Sequence, residues 1–392
     1  MMRKHEVNRR AIAEWIYDGR RTSRFVVPGN KDLAHTPNEM AKLMLNATAV
    51  NVTDKVLILY TAEFLPMLAT EGFADVTIAT EVYDPFVAGI VKACNKLLVV
   101  NYKYMTIGEI EENDMKFDAV LANPPYVGKR ELHQQFFNKA VEEMVVDGGT
   151  VCFIQPSTPY MNNKDGNKHQ QRMRQNVREY KTNIRFVPST VFEGAAVGNA
   201  LAITMVQKAK SDTDAIDTVE FLDGEIRKDA KLEDINLNGM SLDVFVSIRA
   251  KVEAYIEKHG SLESIRYRND HGKASGLCGL ARVRGHMNCD DFYTILSKDD
   301  SRLCQSIDEE WDYGLKVKSE SEIQSIYSYF RTYVCRAILS LKKCTPMNMG
   351  ELKNLPLIPF DREWNDEMLC DLFGITEEEF AEILKVIPAY YD

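Results

Sequence analysis

The sequence predicts a doubly wound α/β fold, in which a mostly parallel sheet carries helices on both faces. Two observations predict it. Short apolar, β-rich runs recur through the first half of the chain, and segments with the helical period separate them. Repeated βα units of this kind form parallel sheets whose ligands bind beyond the carboxyl ends of the strands. Functional residues are therefore expected in the turns that follow strands.

Each element of this prediction depends on local pattern. Apolar residues recur every three or four positions in two segments between strands, which predicts helices there. The predicted helices are 85–95 and 132–145. The predicted strands, in chain order, are 56–59, 76–79, 97–100, 117–122 and 151–155.

The second half of the chain has a different pattern. A charged stretch, 208–217, interrupts the apolar periodicity, and no βα rhythm follows it. We therefore predict an α/β domain at 1–212, a mixed and largely helical domain at 213–345, and a helical tail at 346–392. In the tail, Gly374 is expected to end one helix, and Thr376 with Glu379 forms a capping box that begins the next.

Composition limits the class of protein. The 392 residues include 45% hydrophobic and 27% charged residues, with a net charge of -10, which is typical of a soluble globular protein. No signal peptide or apolar run of spanning length is visible, so a cytoplasmic protein without membrane contact is expected. The eight cysteines include no CxxC pair, which favours reduced thiols and no metal site. Net acidity does not exclude nucleic acid, because one basic face suffices for phosphate contact.

The clearest chemical signal is the segment Asn123-Pro124-Pro125-Tyr126, which follows directly after the predicted strand 117–122. The two prolines make the loop stiff and extended. The Asn123 side-chain oxygen and the Pro124 carbonyl oxygen can accept both hydrogens of an amino group on a flat heterocycle, and Tyr126 offers a face for stacking. A nitrogen held in this way can attack a methyl group. The alternative is a proline-rich turn closed by an aromatic residue.

This segment, together with Thr36-Pro37-Asn38-Glu39, resembles the motifs of S-adenosylmethionine-dependent N6-adenine DNA methyltransferases of the gamma class, which occur in restriction-modification systems and phages. Segments 136–160 and 192–208 are similar to the region that follows the catalytic motif in these enzymes. The resemblance implies a Rossmann-like class I methyltransferase fold, a catalytic domain at 1–212 and target recognition at 213–345. It also implies S-adenosylmethionine as the methyl donor and a flipped adenine in double-stranded DNA as the acceptor. A separate cognate nuclease stays open as a partner.

The resemblance assigns cofactor binding to residues that follow the predicted strands and to the start of a helix. Thr36 is expected to cap that helix with Pro37 at its first position, so that free N–H groups can receive a carboxylate. Glu81, or Asp84 as second choice, would accept the ribose hydroxyls. The remaining expected cofactor residues are Tyr60, Thr61 and Ala62 after the first strand and Asn101 after the third.

One feature departs from the resemblance. The first strand of such enzymes leads into a glycine-rich loop, whereas residues 56–65 read VLILYTAEFL and contain no glycine. Side chains in this loop could obstruct the cofactor pocket, because glycines there allow close backbone approach. This supports an alternative reading as a DNA-binding, specificity or anti-restriction protein with a weakened cofactor site. Retention of the Asn123 to Tyr126 motif argues against that reading. Methyltransferases of RNA bases or protein amides, which use the same motif, are a further alternative.

Basic residues cluster in two regions, and both are expected to contact DNA. A solvated helix face is the alternative for the first of them. The expected DNA-binding residues are Lys164, Lys168, Arg172 and Arg174 in the first region, and Arg266, Arg268, Arg282 and Arg284 in the second.

Overall fold

The computed structural model describes most of the chain in two compact units, which divide at residue 232. The described residues are 36–62, 64–124, 132–160, 167–188, 191, 200–237, 239–262, 265–266, 280–284, 303–304, 312–317, 319–341 and 354–389. Within these residues, no helix combines the length and apolar character needed to cross a membrane.

The first unit alternates strands and helices, as the sequence predicts. Its helices are α1 (Asn38–Ala47), α2 (Phe64–Glu71), α3 (Pro85–Leu98), α4 (Ile107–Glu112), α5 (Leu132–Lys139) and α6 (Lys168–Glu179). Its strands are β1 (Val56–Leu59), β2 (Val76–Thr80), β3 (Lys103–Thr106), β4 (Phe117–Ala122), β5 (Val145–Pro156), β6 (Tyr180–Val187), β7 (Leu201–Lys210), β8 (Ile216–Glu220) and β9 (Ile226–Ala230). A π-helical turn, Ala140–Met144, joins α5 to β5.

These strands form one sheet in the order β3-β2-β1-β4-β5-β7-β6-β8-β9. Strands β1 to β5 pair with one another in parallel, whereas β7 runs antiparallel to both β5 and β6. The chain proceeds outward from β1 to β3 and then returns to place β4 on the other side of β1. The topological switch point therefore lies between β1 and β4, where ligands of open α/β sheets bind.

Strands β1, β4 and β5 pack closely in the middle of the sheet. The residues of β1 and the last four of β4 are all buried, as expected for central parallel strands. At Gly149, a side chain would bring a Cβ within 2.7 Å of the Asp118 carbonyl oxygen. The sequence therefore has glycine where β5 passes close to β4.

Two sequence predictions about this unit are wrong. Residues 97–100 were expected to form a strand, but Leu97 and Leu98 end α3 and the third strand is β3. Their apolar run has the composition of a strand, and continuity with the preceding helical period decides otherwise. The boundary expected after residue 212 falls inside the sheet, because β8 pairs with β6 in parallel and β9 pairs with β8. The unit continues to Leu232.

The second unit combines helices with a small sheet. Its helices are α7 (Leu242–His259), α8 (Glu320–Arg331), α9 (Tyr333–Ser340), α10 (Asp366–Phe373) and α11 (Glu377–Val386). Strands β10 (Ile265–Arg266), β11 (Leu280–Arg284), β12 (Leu303–Cys304) and β13 (Asp312–Lys316) pair in the order β10-β13-β11-β12. The predicted tail shares one apolar core with α7 and α9, so it is part of this unit.

The predicted helix ends in this unit are confirmed. Gly374 ends α10 in the left-handed conformation, with a φ of 67°. Thr376 and Glu379 form the expected reciprocal capping box at the start of α11. Glu379 also accepts hydrogen bonds from Lys251 and Ser247 on α7. The capping residue therefore joins two helices of the core.

Candidate active site

The carboxyl ends of β1 and β4 meet at the switch point of the sheet. Leu59 pairs with Ala122 at the last position of both strands. Tyr60 and Asn123, which follow these residues, therefore leave the sheet side by side. Both were expected to be site residues, and the strand register brings them to the same edge.

A chain of hydrogen bonds joins three segments at this edge. The Asn123 Nδ2 donates to Thr36 Oγ1 at 2.9 Å, although the two residues are 87 positions apart in sequence. Thr36 Oγ1 also lies 3.2 Å from Thr61 Oγ1, so the two hydroxyls are hydrogen-bonded. All three side chains are buried. Residues predicted separately from the helix start, the first loop and the proline-rich segment thus form one polar cluster, which we call the threonine-asparagine cluster.

Thr36 does not perform its predicted capping role. Helix α1 begins at Asn38 with Pro37 at the N-cap position and no side-chain cap bond. The carbonyl oxygen of Pro37 accepts the first helical bond, from the N–H of Ala41 at 2.9 Å. The predicted helix start is therefore wrong by one residue, because the Thr36 hydroxyl is turned toward Asn123 and Thr61.

Tyr60 occupies an unusual backbone position directly after β1. Its φ is 69°, in the left-handed region that favours glycine. Its N–H donates to the carbonyl oxygen of Ala79 at 2.9 Å, which ties the turn to β2. The ring meets Phe136 of α5 edge to face, with centroids 5.1 Å apart. The glycine-free loop therefore keeps a glycine-like turn at the expense of backbone strain.

The Tyr60 hydroxyl is buried and makes no hydrogen bond within the described part of the chain. Burial, together with the nearby charge of Glu81, raises the pKa of Tyr60 well above its ordinary value. The phenol is therefore protonated at neutral pH and holds a hydrogen that it can donate. A buried donor without a partner beside an acidic residue is suited to a bound polar ligand.

Glu81 follows β2 with an exposed side chain, and the loop that carries it is held by Tyr104. The Thr80 hydroxyl donates to the carbonyl oxygen of Val82 at 2.7 Å and lies 2.6 Å from the Tyr104 hydroxyl. The N–H of Asp84 donates to the same Tyr104 oxygen at 2.6 Å. Tyr104 was not among the predicted site residues, since no local signal in the sequence connects β3 to this loop.

The other acid considered, Asp84, has a structural role. Its Oδ1 accepts a hydrogen bond from the N–H of Val87 at 3.3 Å, in the first turn of α3. A carboxylate in this position favours the helix start. Asp84 is therefore engaged at the start of α3, whereas the Glu81 side chain is exposed after the end of β2.

Two other expected cofactor residues, Asn101 and Ala62, have different surroundings. Asn101 precedes β3 instead of following it, so it lies at the amino end of that strand and not at the edge with Asn123. The error follows from the wrong position of the third strand. Ala62 is buried in the apolar core beside α2. Its methyl group packs there, and its carbonyl oxygen accepts from the N–H of Leu65.

The proline-rich segment is described only at its start. Asn123 and Pro124 are buried at the end of β4. Pro125 and Tyr126 lie outside the described residues. Helix α5 follows the segment, and its second residue, His133, is 6% exposed. Burial lowers the pKa of His133 to about 4, so this side chain is neutral at pH 7.

The first basic region lies partly on α6. Lys168 is exposed and forms no ion pair within the described part of the chain, and Arg174 is half-buried on the same helix. Arg172 donates from Nε to Glu142 Oε1 at 2.7 Å. That pairing ties Arg172 to the π-helical turn, which reduces its capacity to bind phosphate. Lys164 lies outside the described residues.

The second basic region includes strands of the small sheet. Arg266 is in β10, and Arg282 and Arg284 are in β11. Strand β13 pairs with both, because Gly314 is opposite Ile265 and also opposite Arg282. Arg268 lies outside the described residues. The strand pairing brings three of the four expected arginines into one sheet.

Comparison with known proteins agrees with the resemblance. Residues 38–192, less than half of the chain, match the family model described as Eco57I restriction-modification methylase. No match was found among curated protein sequences.

Similar solved structures include a component of a type I R-M system (12% identity, TM-score 0.39, covering 58% of this chain and 52% of that one). Another is the type I restriction-modification system methyltransferase subunit from Streptococcus thermophilus (15% identity, TM-score 0.37, covering 52% of this chain and 54% of that one). A third is TrmN from Thermus thermophilus (16% identity, TM-score 0.32, covering 43% of this chain and 48% of that one). The match spans about half the length of each of these chains.

Proposed function

We propose that this protein is a site-specific DNA adenine-N6 methyltransferase, which transfers a methyl group from S-adenosylmethionine to a flipped-out adenine in duplex DNA. The observation that carries the proposal is the threonine-asparagine cluster at the switch point between β1 and β4. A buried amide directly after β4 has the chemistry needed to hold an amino group. The match of residues 38–192 to a family of restriction-modification methylases supports the same class of reaction.

The residues beside the cluster fit the proposed cofactor. Glu81 offers carboxylate oxygens to a pair of ribose hydroxyls, and the unpartnered Tyr60 hydroxyl offers a buried donor next to it. Thr61 carries a further polar atom in the same loop. When bound, S-adenosylmethionine supplies an electrophilic methyl group. The glycine-free loop is compatible with this ligand, because Tyr60 adopts the left-handed turn that a glycine would otherwise provide.

Asn123 acts on the target amino group. Its Nδ2 donates to Thr36 Oγ1, which directs the carbonyl oxygen Oδ1 away from Thr36. With Oδ1 and the Pro124 carbonyl oxygen as acceptors, both amino hydrogens of adenine are held. The nitrogen lone pair then stays available for attack on a methyl group. Catalysis on this account consists of orientation and hydrogen bonding, without a covalent intermediate.

Adenine in a duplex cannot reach a buried asparagine, so the base is extruded at a cost of a few kcal/mol. Tyr126 would stack on the extruded base. Lys168 on α6 and the arginines of β10 and β11 are the proposed contacts to DNA, with Lys168 better placed than the ion-paired Arg172. A cognate nuclease, as a separate protein, would be a partner in restriction.

The proposal is tested by incubating the protein with methyl-labelled S-adenosylmethionine and unmethylated duplex DNA, and by analysing the nucleosides. The expected product is N6-methyladenine. Matched reactions with single-stranded DNA, with RNA and with a glutamine-containing peptide separate the DNA enzyme from the related activities. Methyl transfer to RNA or peptide alone would contradict the choice of DNA.

The strained, glycine-free loop favours one other function, that of a DNA-binding protein with a weak cofactor site. Calorimetry with S-adenosylmethionine distinguishes the two. Binding of DNA without any binding of cofactor, and without methyl transfer, would favour the alternative. Binding of both ligands with transfer would exclude it.

A further inference from the structure

We propose that Thr36 is a positioning residue, whose hydroxyl fixes the Asn123 amide in the orientation that presents its carbonyl oxygen to the substrate. The inference rests on the proposed function and deepens it, since it assigns to Thr36 a role in the transfer step. This role differs from the cofactor contact that the sequence suggests for the same residue. It depends on hydrogen bonds between buried atoms of three separate segments.

The two ends of a side-chain amide differ in what they can bind. They have nearly the same shape and opposite polarity, and only the oxygen can accept from an amino group. Asn123 is 4% exposed, and its Nδ2 donates to Thr36 Oγ1 at 2.9 Å. Because Nδ2 and Oδ1 are bonded to the same carbon, the bond to Thr36 directs Oδ1 to the opposite side. A rotated amide would present two donors to the substrate and could not hold its hydrogens.

The Thr36 hydroxyl by itself could donate or accept a hydrogen bond. It also lies 3.2 Å from Thr61 Oγ1. When Thr36 gives its one hydrogen to Thr61, it can only accept from Asn123, and the rotated amide would bring two oxygens together. Hydrogen bonds linked in a chain also polarise and strengthen one another. Thr61 therefore connects the loop after β1 to the orientation of Asn123.

The Thr36 hydroxyl does not cap helix α1. Thr36 directly precedes α1, where a threonine would commonly cap the helix. The helix instead begins after Pro37 and has no side-chain cap bond. Within the described part of the chain, the Thr36 hydroxyl is hydrogen-bonded to Asn123 and Thr61 and not to α1. Its loss is therefore expected to affect Asn123 more than the helix.

The test compares Thr36→Val, which keeps the shape and removes the hydroxyl, with Thr36→Ser, which keeps the hydroxyl. Thr77→Val is the matched control, since Thr77 is fully buried in β2 and its hydroxyl has no partner within the described residues. Single-turnover methyl transfer to duplex DNA is measured at saturating S-adenosylmethionine, together with the affinities for both ligands. In parallel, nuclear magnetic resonance on protein with ¹⁵N-labelled asparagine follows the Asn123 side-chain amide, identified by its absence in Asn123→Ala.

We expect Thr36→Val to slow transfer about 100-fold, as for a misoriented catalytic group, with both affinities unchanged. The Asn123 amide resonances should shift and their hydrogens exchange faster with water. Thr36→Ser should restore the rate and the resonances, and Thr77→Val should alter neither.

Three results would overturn the role of Thr36. These are an unchanged transfer rate in Thr36→Val, unchanged Asn123 resonances in that variant, or a loss confined to S-adenosylmethionine affinity. The last would assign Thr36 to cofactor contact. Absence of transfer by the unmodified protein would overturn the proposed function itself and this role with it, whereas equal transfer by the unmodified protein and Thr36→Val would overturn only the role.

Discussion

The first unit contains two hydrogen-bonded clusters with buried asparagines, and they differ in the groups that bond to the asparagine. In the threonine-asparagine cluster, Asn123 is held by neutral hydroxyls at the carboxyl edge of the sheet. In the second, which we call the helix-pair cluster, Asn176 of α6 donates to Asn138 of α5 at 3.0 Å and to Glu142 at 2.8 Å. Arg172 completes the second cluster by pairing with Glu142.

The two clusters differ in charge and in their position relative to the sheet. The helix-pair cluster pairs the half-buried Glu142 carboxylate with the Arg172 guanidinium and joins α6 to α5 and the π-helical turn. The threonine-asparagine cluster contains no charge and lies where three segments meet beside strand ends. Burial of an asparagine is therefore insufficient evidence for a site, whereas its place in the sheet is informative.

The largest effect is expected when the Asn123 amide is removed from the threonine-asparagine cluster. We expect Asn123→Ala to lower the rate of methyl transfer about 1000-fold or more, since an acceptor for the reacting amino group is lost. Duplex DNA binding should be largely retained, as measured by fluorescence anisotropy. Equal transfer rates in the variant and the unmodified protein would contradict the proposed role of Asn123 as an acceptor for the reacting amino group.

The pH dependence of stability tests the buried His133 of α5, the helix that carries Asn138 of the helix-pair cluster. The pKa of His133 in the folded protein is about 4, below its ordinary value of 6.5. Protonation therefore favours the unfolded chain, so the contribution is complete above pH 6.5 and is lost as the pH falls toward 4. The loss is about 3 kcal/mol in unfolding free energy.

Urea unfolding at pH 7.5 and 4.5 measures this loss. His133→Gln should reduce the difference between the two pH values, and a substitution of the exposed His259 serves as control. The same pH dependence in His133→Gln and the unmodified protein would contradict the assignment.

Removing the amide of the helix-pair cluster should have the opposite consequence from Asn123→Ala. Asn176→Ala leaves Asn138 Oδ1 and Glu142 Oε1 without this donor, so we expect a loss of about 2 kcal/mol in unfolding free energy. Methyl transfer per folded molecule should be unchanged. A transfer defect as large as that of Asn123→Ala would show that the two clusters do not differ in function.

A smaller effect is expected at the acid beside the first cluster. Glu81→Ala should weaken S-adenosylmethionine binding about tenfold, or about 1.4 kcal/mol, with little effect on turnover at saturating cofactor. Asp84→Ala is the matched control, since Asp84 caps α3. Calorimetry measures both. Weakened binding in Asp84→Ala alone would reverse the assignment.

The smallest effect is expected in DNA binding, when Lys168 and Arg172 on α6 are substituted. Lys168→Ala should reduce the slope of log affinity for DNA against log salt concentration by about one, because one phosphate contact is lost. Arg172→Ala should change that slope less, since its guanidinium is paired with Glu142. Titrations at several salt concentrations decide between them, and a larger slope change for Arg172 would contradict this ranking.

The sequence by itself determined the local features of this protein. Apolar periodicity located β1, β2, β4 and α3, and the two prolines identified the segment after β4 as chemically special. The capping box at Thr376 was readable for the same reason, since all its partners lie within four residues. Patterns of this kind depend on interactions between near neighbours in sequence, which the sequence alone contains.

Only the tertiary structure decided which distant residues meet. The bond from Asn123 to Thr36 spans 87 positions, and the pairing of Arg172 with Glu142 spans 30. The position of β3, and hence the place of Asn101, follows from strand pairing with β2. The extension of the sheet through β8 and β9 follows from pairing with β6. Sheet pairing and buried hydrogen bonds join segments far apart in the chain, so local pattern carries no record of them.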